Sequence, residues 1–338
     1  MASNKFLLLF NLSLSVLFIF ACKTAPKSDD KLFAPIGNPS VDKITVQLQA
    51  QPTNDSLWAM RGKALYKEEL YDESIRDFKK AISLDSSQWS YFHALADAQM
   101  DFSQSKEAMA TLEVLLRREP KRLQSLLKLS ELQLIVKQYA QAETSVNKVM
   151  DLSKGNAEGH FMMGRIKKEM SDTLAAINEF QSAVEADANH QDAYLQLGIL
   201  MSQKRNPIAL KYLDNALRID SSNTETLYAK AMYYQNLKQP DYTTAMKLYR
   251  KIIGLDVHYT DAFFNMGILL LEQKNPVEAE KNFELSTKSD ATCAKCYYMR
   301  GLMAEMRKDN KAAKAFYEES YRIDPENTVA KQAADKLK

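Results

Sequence analysis

Residues 55–88 read DSLWAMRGKALYKEELYDESIRDFKKAISLDSSQ, and residues 89–122 read WSYFHALADAQMDFSQSKEAMATLEVLLRREPKR. The two segments are each 34 residues long and carry small and large apolar residues at matching positions. Gly62 in the first segment corresponds to Ala96 in the second. Large apolar residues flank these small ones at i, i+3 and i+4 spacing, which is typical of one buried face of an α-helix. Each segment therefore predicts two amphipathic helices that cross closely at their small residues.

The same pattern continues in register to about Asn327, which gives eight units over residues 55–327. The small residues on the first helices are Gly62, Ala96, Ser130, Gly164, Gly198, Ala231, Gly267 and Gly301. Those on the second helices are Ser74, Ala108, Ala142, Ala176, Ala209, Ala245, Ala279 and Ala313. The fifth unit loses one residue near Asn206, and the sixth gains two around Pro240. Both changes are predicted to fall between helices, where loops tolerate them.

This pattern resembles the tetratricopeptide repeat, a pair of antiparallel helices, and the resemblance covers about four-fifths of the chain. It implies an all-α protein, a right-handed α-solenoid superhelix of about eight helix-turn-helix units. Residues 39–54 are predicted to form an N-terminal helix. Residues 328–338, rich in Lys and Ala, are predicted to be a C-terminal capping helix on the last unit.

The first 21 residues have the composition of an export signal. Lys5 precedes a mostly apolar run, residues 6–20, which is shorter than the roughly 20 residues that a membrane-spanning helix needs. Residues 1–21 are therefore predicted to be a signal peptide. Residues 22–38 are rich in Lys, Ser, Asp, Pro and Gly and predict a flexible tether.

The stretch Ile19-Phe20-Ala21-Cys22 resembles a bacterial lipobox, which implies that Cys22 is lipidated and becomes the mature N-terminus. An ordinary signal peptide and an uncleaved anchor remain as alternatives. Because Lys23 rather than aspartate follows the cysteine, the resemblance implies anchoring in the outer membrane. The periplasmic face is favoured over the cell surface.

Neither catalysis nor a cofactor is expected. The four histidines are far apart in sequence, and no Gly-rich phosphate loop or nucleophile elbow occurs. The repeats occupy the part of the chain in which a catalytic domain would lie. Lys and Arg total 45 against 43 for Asp and Glu, and the signs are interspersed, so a nucleic-acid partner is not expected.

Cys293 and Cys296 form a CxxC at the predicted start of a helix. A redox pair is disfavoured because the strand that precedes such a motif in thioredoxin-like folds is absent from the pattern. In an exported protein with Cys22 acylated, two thiols remain, and a local disulfide is the first interpretation. Two buried thiols and half of a metal site shared with a partner are the alternatives.

The resemblance places the fifth and ninth positions of each repeat on the concave face, where they are i, i+4 neighbours. In the last four units these positions form an apolar and aromatic stripe: Leu195, Ile199, Tyr228, Met232, Phe264, Ile268, Tyr298 and Leu302. Burial against neighbouring helices would explain the stripe. A groove for an apolar helix or extended segment of a partner, or for self-association, would explain it equally.

The sequence therefore predicts a non-catalytic envelope scaffold or adaptor, tethered to a membrane by an N-terminal lipid, that binds protein partners through the concave groove. The alternative is a cell-wall or glycan-binding lipoprotein whose groove aromatics stack on sugars.

Overall fold

The computed structural model describes residues 33–337, and within them it contains 18 α-helices and no strand. The prediction of an all-α fold is thus confirmed. The predicted signal peptide, Cys22 and most of the tether lie outside the described residues. None of the described helices is both long and apolar enough to cross a membrane.

One helix precedes the repeats and one follows them, and sixteen paired helices lie between. The bounds are α1 Pro39–Ala50, α2 Asp55–Lys67, α3 Tyr71–Leu84, α4 Trp89–Asp101, α5 Ser105–Arg118, α6 Leu123–Ile135, α7 Tyr139–Leu152, α8 Ala157–Glu169 and α9 Thr173–Ala186. They continue as α10 Gln191–Gln203, α11 Ile208–Ile219, α12 Thr224–Gln235, α13 Tyr242–Leu255, α14 Thr260–Glu272, α15 Pro276–Ser289, α16 Ala294–Met306, α17 Asn310–Ile323 and α18 Thr328–Lys336.

The chain consists of two compact units, each larger than a single repeat, with the boundary between Thr111 and Leu112. The first unit has a core around Trp58, which is 2% exposed and packs with Leu48 and Ala81. The Trp58 indole Nε1 donates a hydrogen bond to the Pro52 carbonyl at 2.8 Å, so its one polar atom is satisfied. Burying such a large side chain contributes on the order of 2–3 kcal/mol.

The first unit also contains a buried ion pair between α2 and α3. Arg61 donates to both carboxylate oxygens of Asp77, at 2.6 and 2.9 Å, and its guanidinium carbon lies 4.9 Å from the Trp58 ring centre. Burial raises the pKa of the Asp77 carboxyl, although Arg61 opposes the shift. Removing one partner of such a pair costs about 3–5 kcal/mol, because the other charge stays buried without compensation.

In the second unit, four of the helix pairs cross where a glycine lies opposite a large side chain. A Cβ on Gly164 would lie 2.6 Å from the Phe180 ring, and one on Gly267 would lie 2.5 Å from the Phe283 ring. Both rings are fully buried. The small residues therefore let a ring of the second helix lie directly on the backbone of the first.

The turns within the repeats share a left-handed residue. Glu69, Ser103, Lys137, Ser171, Arg205, Lys274 and Lys308 all have φ between 53° and 63°. The sixth unit has no such residue in the turn between α12 and α13, where the sequence adds two residues. Its longer turn is closed instead by a hydrogen bond from the Asp241 amide to the Tyr234 carbonyl at 3.1 Å.

The last helix covers the end of the final pair. Ala330 and Ala334 on α18 are buried, and Ala334 packs with Ala313 and Tyr317 of α17. Asn327 caps α18 by accepting a hydrogen bond from the Ala330 amide at 3.2 Å. This arrangement gives the α-solenoid the capping helix that the repeat pattern predicts, and the fold class is confirmed.

Candidate groove site

A cavity of about 910 Å³ lies between α10 and α12 in the second unit. Four residues of the predicted stripe line it: Leu195 and Ile199 from α10, and Tyr228 and Met232 from α12. The other lining residues are Gln196, Ser202, Gln203, Arg205, Glu225, Ala229, Tyr233, Asn236, Leu237, Lys238 and Tyr259. This volume lies within the range of pockets that bury a small ligand or a few side chains.

The helical period explains why the stripe residues meet in this cavity. Residues four apart on one helix lie one above the other, so Leu195 and Ile199 share a face, as do Tyr228 and Met232. Leu195 is only 4% exposed, whereas the other three are half-buried. Leu195 therefore forms part of the apolar floor, and the other three present side-chain surface to whatever enters.

Tyr228 lies between two other tyrosine rings. Its ring centre lies 5.6 Å from that of Tyr259 and 6.0 Å from that of Tyr249, and its hydroxyl oxygen accepts a hydrogen bond from Asn265 Nδ2 at 3.0 Å. Burial, followed by the Asp261 charge, raises the pKa of the Tyr228 hydroxyl. Burial and the neighbouring Tyr228 raise the pKa of Tyr259 to about 12. Both hydroxyls are therefore neutral near pH 7.

The positive and negative side chains of the lining lie at opposite ends of the helices. Arg205 follows the carboxyl end of α10 and Lys238 follows that of α12, while Glu225 lies in the first turn of α12. None of the three takes part in a salt bridge with the chain over residues 33–337. Helix α12 has 12 residues and is thus ~18 Å long, so the cationic and anionic ends of the cavity are well apart.

The second half of the predicted stripe is arranged differently. Phe264, Ile268, Tyr298 and Leu302 are half-buried and do not line the large cavity. The ring centres of Phe264 and Phe283 lie 5.9 Å apart. The Lys295 ammonium lies 4.7 Å from the centre of the Phe264 ring. Tyr298 packs 5.4 Å from Tyr317. The chain thus brings together four of the eight predicted groove residues in one cavity, and the other four lie outside its lining.

The two cysteines of the CxxC are joined by a disulfide, with Cα atoms 5.3 Å apart. Cys293 is the N-cap residue of α16, and the two residues are 7% and 0% exposed. Over residues 33–337 no three His, Cys, Asp or Glu side chains are grouped so as to hold a metal ion. His160 Nδ1 lies 2.8 Å from a Glu179 carboxylate oxygen, and His190 caps α10.

Reasoning from repeat positions missed the ends and one wall of the cavity. Tyr259 immediately precedes α14 and lies outside the fifth and ninth positions, so the groove rule overlooks it. Arg205 and Lys238 belong to turns of irregular length. The two added residues of the sixth unit were the available signal for Lys238, because the longer turn places additional side chains next to the cavity.

Comparison with known proteins agrees with this architecture. The tetratricopeptide repeat family model matches residues 55–88 and 294–327, the first and last of the predicted units. The type IV pilus assembly protein PilF of Pseudomonas aeruginosa is 31% identical over 152 residues, 44% of this chain and 59% of that protein. The protein O-mannosyl-transferase Tmtc3 of Drosophila melanogaster is 26% identical over 133 residues, 39% of this chain and 14% of that protein.

Solved structures show the same fold. The structure of P. aeruginosa PilF has a TM-score of 0.55 at 17% identity and covers 65% of this chain and 99% of its own. A tetratricopeptide repeat protein from Parabacteroides merdae has a TM-score of 0.54 at 16% identity and covers 73% of this chain and 97% of its own. At such identities the likeness shows the fold alone.

Proposed function

Since this chain is a tetratricopeptide repeat protein folded as an α-solenoid, we propose that it is a non-catalytic adaptor holding a protein segment in the cavity between α10 and α12. The observation that carries this proposal is the partly exposed lining formed by Ile199, Tyr228 and Met232. Apolar surface left open in a concave site is typical of peptide recognition, because its burial drives association. Polar groups at both ends of the cavity would orient the bound segment.

The proposal includes an N-terminal lipid on Cys22 that ties the adaptor to the outer membrane, with the repeats in the periplasm. It is supported by the apolar run and lipobox-like stretch of residues 6–22. It is also supported by the similarity to PilF, whose name assigns that protein to type IV pilus assembly. Replacing Cys22 by Ser should move the protein from the membrane to the soluble fraction and abolish palmitate incorporation. Unchanged membrane association and labelling would contradict the anchor.

The likeness to a mannosyl-transferase does not favour an enzyme. It covers 14% of that protein, and in this chain the repeat pattern occupies residues 55–327. The chemistry of the cavity also favours binding, because most of its lining is apolar side chains, aromatic rings and side-chain amides, and Glu225 is its one carboxylate.

Site-specific photo-crosslinking in cells tests the adaptor role. A photoreactive phenylalanine analogue is placed at Ile199 or Met232, and, as a matched control, at Lys247 on the exposed face of α13. We expect discrete protein adducts, identified by mass spectrometry, from the two cavity positions and not from position 247. Adducts that are the same at all three positions, or lacking at the cavity positions, would contradict the role.

A second candidate function is binding of a cell-wall glycan. The geometry that favours it is the pair of Tyr228 and Tyr259 rings beside the amides of Gln196, Gln203 and Asn236, since sugars stack on aromatic faces and need polar groups around them. Sedimentation of the purified protein with isolated peptidoglycan separates the two candidates. Retention that is lost on replacing Tyr259 by Ala would favour the glycan, and its absence would favour the protein adaptor.

A further inference from the structure

Three aromatic rings form a partly exposed cluster at the turns of the first two repeats. Tyr66 lies in the last turn of α2, Tyr71 begins α3, and Phe102 immediately follows α4. The ring centres of Tyr66 and Tyr71 lie 5.8 Å apart, and those of Tyr71 and Phe102 lie 6.2 Å apart. Phe102 is 38% exposed. The cluster therefore presents aromatic surface to the solvent.

The carboxylate of Asp101 adjoins this cluster. The Tyr66 hydroxyl donates a hydrogen bond to Asp101 Oδ2, and no other group within residues 33–337 pairs with that carboxylate. This bond, followed by burial and the charges of Asp101 and Asp97, raises the pKa of the Tyr66 hydroxyl to about 12. Burial, followed by the charges of Glu69 and Asp101, raises the pKa of the Tyr71 hydroxyl. The three rings and the Asp101 carboxylate together form an aromatic–acidic patch.

The position of Asp101 is disfavoured by the helix that carries it. Asp101 is the last residue of α4, and the last turn of that helix contains no basic residue. The carboxyl end of a helix carries partial negative charge, so it repels a carboxylate and attracts a cation. Asp97, four residues earlier on the same helix face, adds repulsion between like charges. A cation bound at Asp101 would therefore relieve a repulsion that the helix imposes.

Elsewhere the chain combines a ring and a carboxylate with a cation of its own. The Lys295 ammonium lies 4.7 Å from the Phe264 ring centre and 2.5 Å from an Asp261 carboxylate oxygen. In the same way, Arg61 lies over the Trp58 ring and donates to both oxygens of a carboxylate on α3. In the aromatic–acidic patch, the described part of the chain supplies the rings and the carboxylate but no cation.

The combination of these rings with a carboxylate is confined to the first two repeats. Two other repeats have an acid at the position of Asp101, and both keep a tyrosine at the position of Tyr71. In place of Tyr66, Asp101 and Phe102 they have Leu134, Glu169 and Met170 in one case and Gln235, Glu272 and Gln273 in the other. Glu169 is therefore a matched carboxylate that lacks two of the three rings.

We propose that the aromatic–acidic patch binds an arginine side chain in a basic segment of a partner protein. A guanidinium is planar, so it can stack on a ring while it donates to a carboxylate, whereas an ammonium acts as a point charge. Residues 66–73 contain four acids against one Lys, which adds attraction for a basic segment around the arginine. The patch belongs to the first compact unit, so it is a second binding site beyond the proposed adaptor cavity.

Fluorescence anisotropy with labelled heptapeptides and the purified protein tests the inference. The parent probe reads Gly-Ser-Arg-Gly-Arg-Ser-Gly, labelled at the amino end and amidated at the carboxyl end. The other probes replace both arginines by Lys, by the uncharged isostere citrulline, or by Glu. We expect the Arg probe to bind at least about tenfold more tightly than the citrulline probe, which is the size of one charge-assisted hydrogen bond. The Lys probe should lie between them, and the Glu probe should bind most weakly.

Two variants assign the preference to the patch. Asp101→Asn keeps an oxygen that accepts the Tyr66 hydroxyl but removes the charge, so it should abolish the advantage of the Arg probe. Phe102→Ala removes an exposed ring and should weaken the Arg probe by about threefold, the size of one exposed cation–π contact. The matched control, Glu169→Gln, should keep the full advantage. All three side chains are exposed, so circular dichroism should show unchanged helicity.

Each other outcome overturns the inference. Equal binding of the Arg and citrulline probes would do so, as would a Lys probe that binds as tightly as the Arg probe. An Arg preference that survives Asp101→Asn, or that is lost in Glu169→Gln, would place the binding outside the patch. If no probe binds, the inference fails as well. Crosslinks from Ile199 and Met232 report on the adaptor cavity separately, so the proposed function is tested without it.

Discussion

Gly267 shows how single residues set the distance between paired helices. The buried Phe283 ring lies where its Cβ would be, at 2.5 Å, so Gly267→Ala must displace a ring that has no free space. We expect this change to destabilise the protein by about 1–3 kcal/mol, as overpacking does. The measurement is the urea midpoint of the helical circular dichroism signal.

The chain provides a matched control at Gly254, which lies in α13 with nothing within 4 Å of its Cβ position. There the same Gly→Ala change should stabilise the protein by up to about 1 kcal/mol through the higher helix propensity of Ala. Equal effects at the two positions would show that propensity, and not the close crossing, determines the role of Gly267.

Tyr259 provides a prediction for alkaline pH. Its folded pKa is about 12 against an ordinary value of 10, so the folded state holds the proton more tightly than the unfolded state. The stability that this difference contributes is fully present below pH 10 and is lost as the pH rises from 10 through 12. Because Tyr259 is partly exposed, solvent moderates the size of the effect.

We therefore expect wild-type stability, measured by urea unfolding, to fall between pH 10 and 11, and Tyr259→Phe to fall less steeply over the same interval. The urea midpoints of the wild type and of Tyr259→Phe at pH 8, where both hydroxyl and ring are uncharged, serve as the reference for this comparison. Parallel pH profiles would mean that Tyr259 does not contribute to the alkaline loss.

At the scale of the element, the disulfide fixes the start of α16. It joins residues separated by three positions, and the chain-entropy relation for so short a loop gives about 2 kcal/mol. Reduction of the purified protein should lower its unfolding midpoint accordingly. The Cys293→Ala/Cys296→Ala variant should not respond to the reductant. An unchanged midpoint, with two thiols shown free by titration, would contradict a stabilising disulfide.

Helix pairs were the part of the fold that the sequence could predict, because each pair repeats one local pattern of small and large residues. The crossing at Gly164 and Phe180, for example, needs only positions within a single unit. The cavity could be predicted in part. Tyr228 and Met232 follow from the helical period, whereas Tyr259 and Lys238 reach it from turns.

Packing between units explains why the Phe264 ring of the predicted groove is covered by a cation. Lys295, one unit later than Phe264, lies over the Phe264 ring and pairs with Asp261. The sequence pattern within one repeat cannot predict a contact made by a side chain of the next repeat. The apolar character of a position is thus predictable, but its accessibility is not.

At the scale of the whole molecule, a repeat architecture allows one repeat to change locally while the other repeats keep their structure. Each helix pair packs mainly on its neighbours. A single repeat can therefore change the length of its turn without altering the helix pairs on either side. The turns after α10 and α12, which have four and six residues against three in the other units, are the two places where the chain uses this freedom, and both border the cavity. The adaptor role therefore depends on one short stretch of an otherwise regular array.

The central claim is that a partner occupies the cavity between α10 and α12. The most direct measurement is the affinity, by isothermal titration calorimetry, of the partner identified by crosslinking for the wild type, for Ala229→Trp and for Lys247→Trp. Ala229 is a partly exposed lining residue, so the indole would extend into the cavity, whereas position 247 lies outside it. We expect Ala229→Trp to weaken binding by at least about tenfold, the loss typical of a blocked interface centre, and Lys247→Trp to bind like the wild type. Wild-type affinity in a correctly folded Ala229→Trp variant would contradict the claim.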